Sequence, residues 1–138
     1  MAARRVVLVL VLVLAARLAG AGALAAQTSA GATWLATPAS VLKSALRAAT
    51  AAQERYYAAN GTYAVSVDRL GLRPDAGVRL DILGAGASGW QGRAVHQSQP
   101  GRSCVVFVGS LAGAEPPRTD GDREMAGEEG IPLCDRMR

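Results

Sequence analysis

The chain has 138 residues and carries 15 Lys and Arg against 11 Asp and Glu, a formal charge of +4. The surplus lies at the front: setting aside residues 1–25 removes Arg4, Arg5 and Arg17 and leaves 12 basic against 11 acidic side chains, too even a balance for a surface that tracks phosphates, which argues against nucleic acid as a partner. One His, two Cys, two Trp, three Tyr and one Phe leave little material for a cofactor pocket, a metal cage or a catalytic triad.

Arg4 and Arg5 precede Val6 to Ala16, an unbroken apolar run, and Arg17 is followed by the small-residue stretch Leu18 to Ala26. This is the order of a secretory signal peptide, and Ala23-Leu24-Ala25 offers small residues at the two positions a signal peptidase reads, so residues 1–25 are predicted to be removed after Ala25. An uncleaved inner-membrane anchor is the alternative. It would bury Arg17 at a cost of roughly 2.5–3.5 kcal/mol at mid-bilayer, and Gly20 and Gly22 weaken the helix further. Cleavage predicts an exported protein, periplasmic or secreted, that meets a membrane only if residues 1–25 are retained. Two cysteines in an oxidising compartment read as one disulfide, Cys104 with Cys134.

Residues 26–37 are small and polar with no period, a tether carrying Trp34 and Leu35 as its only bulky members. The domain proper is predicted over 38–138. Thr37 is a good N-cap and Pro38 suits the first helical position. Leu42, Ala45, Leu46, Ala49, Ala52 and Tyr56 recur with helical period, with Lys43, Arg47, Thr50 and Glu54 opposite, so an amphipathic helix is expected to about Ala59 and to end at Asn60-Gly61.

A narrow apolar stripe rich in alanine needs a flat partner, and the following sequence is strand-like. Val65 to Leu72 reads as a short helical turn and Pro74 to Gly77 as a turn. Val78, Leu80 and Ile82 alternate with Arg79 and Asp81, a half-buried strand. Trp90 to His96 and Ser103 to Gly109 are two further strands joined by a turn holding Pro100-Gly101. Together they predict an antiparallel meander, hence an α+β fold with the helix packed on three to four strands. Beyond Ser110 hydrophobicity falls. Thr119 to Gly130 reads as an acidic loop, returned to the sheet by Ile131, Leu133 and Cys134 and closed there by the disulfide.

Three motifs raise chemistry. Gly84-Ala85-Gly86-Ala87-Ser88-Gly89 matches G-x-G-x-x-G, but a strand follows where a nucleotide site needs a helix N-terminus, so it is predicted to be an inter-strand loop. His96 stands alone, without a carboxylate to orient it, and reads as a strand-end residue. Asp120, Asp122 and Glu124 have the i, i+2, i+4 spacing of a calcium loop and Glu128 and Glu129 add oxygen ligands nearby, yet Met125 stands where the turn needs Gly and Ile131 where the loop needs its last acid. Calcium at Asp120, Asp122, Glu124 and Glu128 is therefore the alternative to a solvated loop with no cofactor, and a secreted calcium- or ligand-binding, adhesive module is the alternative function. Trp90 is expected in the core beneath the helix.

The helix-end run Gln53-Glu54-Arg55-Tyr56-Tyr57-Ala58-Ala59-Asn60-Gly61-Thr62-Tyr63, then Leu70-Gly71-Leu72, Gly89-Trp90, and Cys104 to Gly109 paired with a C-terminal Cys resembles the globular part of type IV pilins and type II secretion pseudopilins, over about Val41 to Cys134. The resemblance implies a helix laid across an antiparallel sheet with a disulfide-closed C-terminal loop. It also implies a non-catalytic subunit of a pilus-type or secretion assembly with protein partners, and it adds to the calcium alternative, since some pseudopilins bind calcium in this loop. The family's peptidase leader Gly-Phe-Thr-Leu-Ile-Glu is absent: the first acid in this chain is Glu54 and the only Phe is Phe107. Without the apolar N-terminal helix running into the domain, filament packing of the usual kind is not expected.

Overall fold

The computed structural model describes residues 36–138; the predicted leader and most of the tether lie outside the described residues. Ala36–Arg138 forms one compact unit. Helix α1 spans Pro38–Asn60. Thr37 caps it, its Oγ1 accepting from Ser40 N–H at 3.2 Å, and Pro38 occupies the first turn where no N–H is missed. At the other end Gly61 adopts the left-handed φ of 68° and its N–H donates to Tyr57 O at 2.8 Å, so the helix stops where an L side chain would be strained.

Four strands follow: β1 (Val78–Ala85), β2 (Gly89–His96), β3 (Ser103–Gly109) and the two-residue β4 (Leu133–Cys134). They make one antiparallel sheet in sequence order. The region expected to hold a helical turn contains a single 3₁₀ turn, Asp68–Leu70, closed by Gly71 in the left-handed conformation. The glycine-rich segment is shorter as a loop than its composition suggests. Gly84 and Ala85 complete β1 after a bulge between Ile82 and Gly84, and Gly86 N–H donates back to Gly89 O at 2.9 Å to close the hairpin.

Register explains the core. Leu80, Ala94, Cys104 and Cys134 lie side by side across the four strands, flanked by Ile82, Gly92 and Val106. Strand alternation turns all of these toward α1, where Leu42, Leu46 and Ala49 are fully buried against them together with Trp90. Each buried leucine contributes roughly 1.5–3 kcal/mol. Alanines at 49 and 52 keep the helix low on the sheet. Trp90 is in the core as expected, and Gly92 makes room for it: a Cβ there would meet the Trp90 ring at 2.6 Å.

The opposite face of the sheet is covered as well. Ser103 and Val105 point away from α1 and are nonetheless fully buried, as is Thr119 in the C-terminal loop, with Ala126 nearly so. The loop crosses that face rather than projecting from it: Gln91 Nε2 donates to Glu115 O, and Asp120 N–H donates to Ser103 Oγ, both at 2.8 Å. The domain is therefore helix, sheet and tethered loop in three layers.

Candidate functional site

Of the residues that sequence reasoning singled out, Asp120 and Asp122 lie on the loop side of the sheet, and the two cysteines face α1. Cys104 and Cys134 are partners in the β3–β4 register and form the expected disulfide. Asp135, the next residue, is 3 % exposed, and its carboxylate is a hub. Oδ2 accepts from Ser103 N–H at 2.8 Å and Gly121 N–H at 2.9 Å, and Oδ1 accepts from Asp122 N–H at 2.6 Å. The Thr119 hydroxyl also bonds to it. Burial pushes the Asp135 carboxyl up, but the combined hydrogen bonds from Thr119, Asp122, Ser103 and Gly121 outweigh it and hold the group below the ordinary carboxylate range.

The neighbouring acids are spent in the same way. Asp122 accepts from Arg136 N–H at 2.8 Å and pairs with Arg102 at 2.6 Å, and these two contacts, the backbone one first, lower its pKa. Asp120 pairs with Arg93 at 3.2 Å, and Arg93 reaches across to Asp81 on β1, also at 3.2 Å. Burial disfavours the charged Arg93 guanidinium, yet Asp81 and Asp120 more than compensate and raise its pKa. A chain of charge thus runs Arg79–Asp81–Arg93–Asp120 from the sheet edge to the loop.

The four calcium candidates fall within or beside this arrangement. Asp120 and Asp122 direct their oxygens at guanidinium and backbone N–H groups, while Glu124 and Glu128 are exposed. Among the described residues no group of three or more His, Cys, Asp or Glu side chains is placed to hold a metal ion. The loop is organised by Asp135, an internal carboxylate that does the tying a cation would do. Sequence reasoning passed over Asp135. Its signal was an acid directly after a half-cystine at the end of the short apolar return Ile131 to Cys134.

His96 sits at the end of β2, where its Nδ1 lies 2.7 Å from Ser98 Oγ and accepts from Ser98 N–H at 3.2 Å. The imidazole caps the turn after its own strand, and no carboxylate hydrogen-bonds to it. A crevice between α1 and the connector to β1 is lined by Ser44, Ala45, Leu72, Arg73, Asp75 and Leu80. At the far end of the helix, buried Gln53 grips Ala64 from both sides: Nε2 donates to Ala64 O at 2.8 Å and Oε1 accepts from Ala64 N–H at 2.7 Å. Tyr63 lies beside it against Tyr57, ring centroids 4.7 Å apart; burial and then Glu54 raise its pKa.

Among the described residues no helix is long and apolar enough to cross a membrane. No protein-family model matches the chain, and no curated protein matches it either.

Proposed function

We propose that this is a non-catalytic, exported pilin-like protein, an accessory or interaction subunit of an envelope assembly of the secretion or pilus type, released from its leader rather than built into a filament by an apolar N-terminal helix. The observation that carries the reading is the closure of the C-terminus: β4 and its disulfide bind the chain end to β3 beneath an N-terminal helix that lies across the sheet. The leader pattern at residues 1–25 and the helix-end run from Gln53 to Tyr63 support it from the sequence. A side-chain chemistry devoted to holding the loop, with carboxylates neutralised by Arg93, Arg102 and backbone N–H groups, fits a protein that works through its surface.

Deleting the gene in the producing bacterium and measuring surface piliation and protein secretion tests the reading. Loss of one of them, restored by the full chain and not by a chain lacking residues 1–25, is the expected result. Unchanged piliation and secretion would contradict it.

A further inference from the structure

Asn60 is the only Asn in the chain, and with Gly61 and Thr62 it forms N-x-[ST] with a middle residue other than Pro, the pattern of an N-glycosylation acceptor. A triplet this short arises often by chance, so its weight lies in where the fold puts it. Asn60 is exposed and ends α1, and Gly61 follows at a left-handed φ of 68°, which makes the triplet a surface turn. Gly61 also keeps the acceptor uncrowded: a Cβ there would meet nothing within 4 Å among the described residues. The chain enters the described domain at Ala36, the far end of a 23-residue helix and so about 33 Å away.

A second feature points to a sugar. Tyr57 stands one helical turn before Asn60, on the same side of α1, with 37 % of its surface accessible and its ring against Tyr63, centroids 4.7 Å apart. An aromatic face with one wet side is where the C–H face of a pyranose ring packs. The acceptor atom can take it: Asn60 Nδ2 donates to Tyr56 O at 2.8 Å, a primary amide carries two N–H hydrogens, and one is enough to keep that bond. Access comes from folding order. Leu42, Leu46 and Ala49 hold α1 by packing on strands that all follow it in sequence, and a helix without its sheet is marginal in water. A chain exported N-terminus first therefore offers Asn60-Gly61-Thr62 in an open form before Val78 to Cys134 arrive to fix the helix.

We propose that Asn60 carries an N-linked glycan, transferred from a sugar activated as a lipid-linked diphosphate. Nδ2 bonds to the anomeric carbon, the bond from that carbon to the diphosphate oxygen breaks with its electron pair leaving on the diphosphate, and one amide proton passes to a base of the transferase. The remaining Nδ2 hydrogen stays with Tyr56 O, so the helix end keeps its side-chain bond. The glycan lies over Tyr57 and Tyr63, where it covers exposed aromatic surface and adds a bulky, soluble group far from the start of α1. The proposal rests on the export reading, since donor and chain meet outside the cytosol.

Mass spectrometry of the exported protein from its own producing cells tests it. The mass should exceed that of residues 26–138 by a whole number of sugar units, and fragmentation should place the excess on Asn60. Asn60→Gln, an exposed change that keeps an amide at the helix end, should abolish the excess. Thr62→Ala should abolish it too and Thr62→Ser should restore it, an ordering that a loss of fold would not produce. An exported chain with an unmodified Asn60, or an excess that survives Asn60→Gln or Thr62→Ala, would overturn the proposal and leave the export reading standing. A cytosolic chain that retains residues 1–25 would contradict the export reading and the proposal together.

Discussion

Asp135 and Ser103 are joined twice, Ser103 N–H donating to Asp135 Oδ2 at 2.8 Å and Asp135 N–H donating to Ser103 O at 3.0 Å. The pairing continues β4 by one residue and turns the Asp135 carboxylate into the loop, where Gly121 and Asp122 offer their N–H groups. Asp135→Ala leaves these donors buried without an acceptor, which costs about 2–4 kcal/mol. Denaturant melts should show that loss, and limited proteolysis should cut first between Thr119 and Glu124. An unchanged midpoint with an intact loop would remove Asp135 from its role.

The same carboxylate sets an acid limit. Asp135 and Asp122 have lower pKa values folded than unfolded, so their contribution is complete above the unfolded carboxylate value of about 4 and is lost as pH falls through it toward the folded values. Melting temperature should therefore hold near neutrality and drop below about pH 4. In Asp135→Asn the slope of that drop should flatten while the neutral plateau sits lower. Equal slopes in the two proteins would assign the acid limit elsewhere.

Much of the frame was legible in the residues. The helix start at Pro38, its end at Asn60-Gly61 and the second and third strands follow from capping chemistry, glycine placement and period, which are local. The cysteine pairing followed from count and compartment. What stayed hidden was long-range. Asp135 binds residues up to 32 positions away, and nothing near it in sequence says that its partners are backbone N–H groups. The acidic spacing at Asp120, Asp122 and Glu124 carries no information on the arginines that arrive from β2 and from the β2–β3 turn. Gln53 likewise stands outside the apolar stripe read from the helical period, although it is fully buried.

That burial yields a sharp test at the helix. Gln53 supplies one donor and one acceptor to Ala64, as a neighbouring strand would. Gln53→Ala removes both and opens a void, for a loss of about 2–4 kcal/mol. Gln53→Glu keeps the shape but puts a second acceptor against Ala64 O, so it should also destabilise and lose more at high pH than at low pH. Arg47→Ala, on the exposed side of the same helix, should change stability by less than about 0.5 kcal/mol. Chemical melts of the three variants decide the matter; equal effects would mean that the buried face is wrongly placed.

The disulfide closes a segment with a sequence separation of 30, which on the chain-entropy model stabilises by roughly 3–4 kcal/mol. Cys104→Ser should lower the melting point accordingly and speed amide exchange at Ser103 and Asp122, whose N–H groups end on Asp135 next to the lost bridge. Exchange in α1 should slow or quicken only with global stability. A melting point insensitive to reduction would contradict the tether.

Intact mass spectrometry of the protein recovered from its own producing cells examines export and closure in one reading. The account predicts a chain beginning at Ala26 in the envelope or culture fluid, lighter by the two hydrogens lost in forming the Cys104–Cys134 bond. A cytosolic chain that keeps residues 1–25 and carries two free thiols would contradict it.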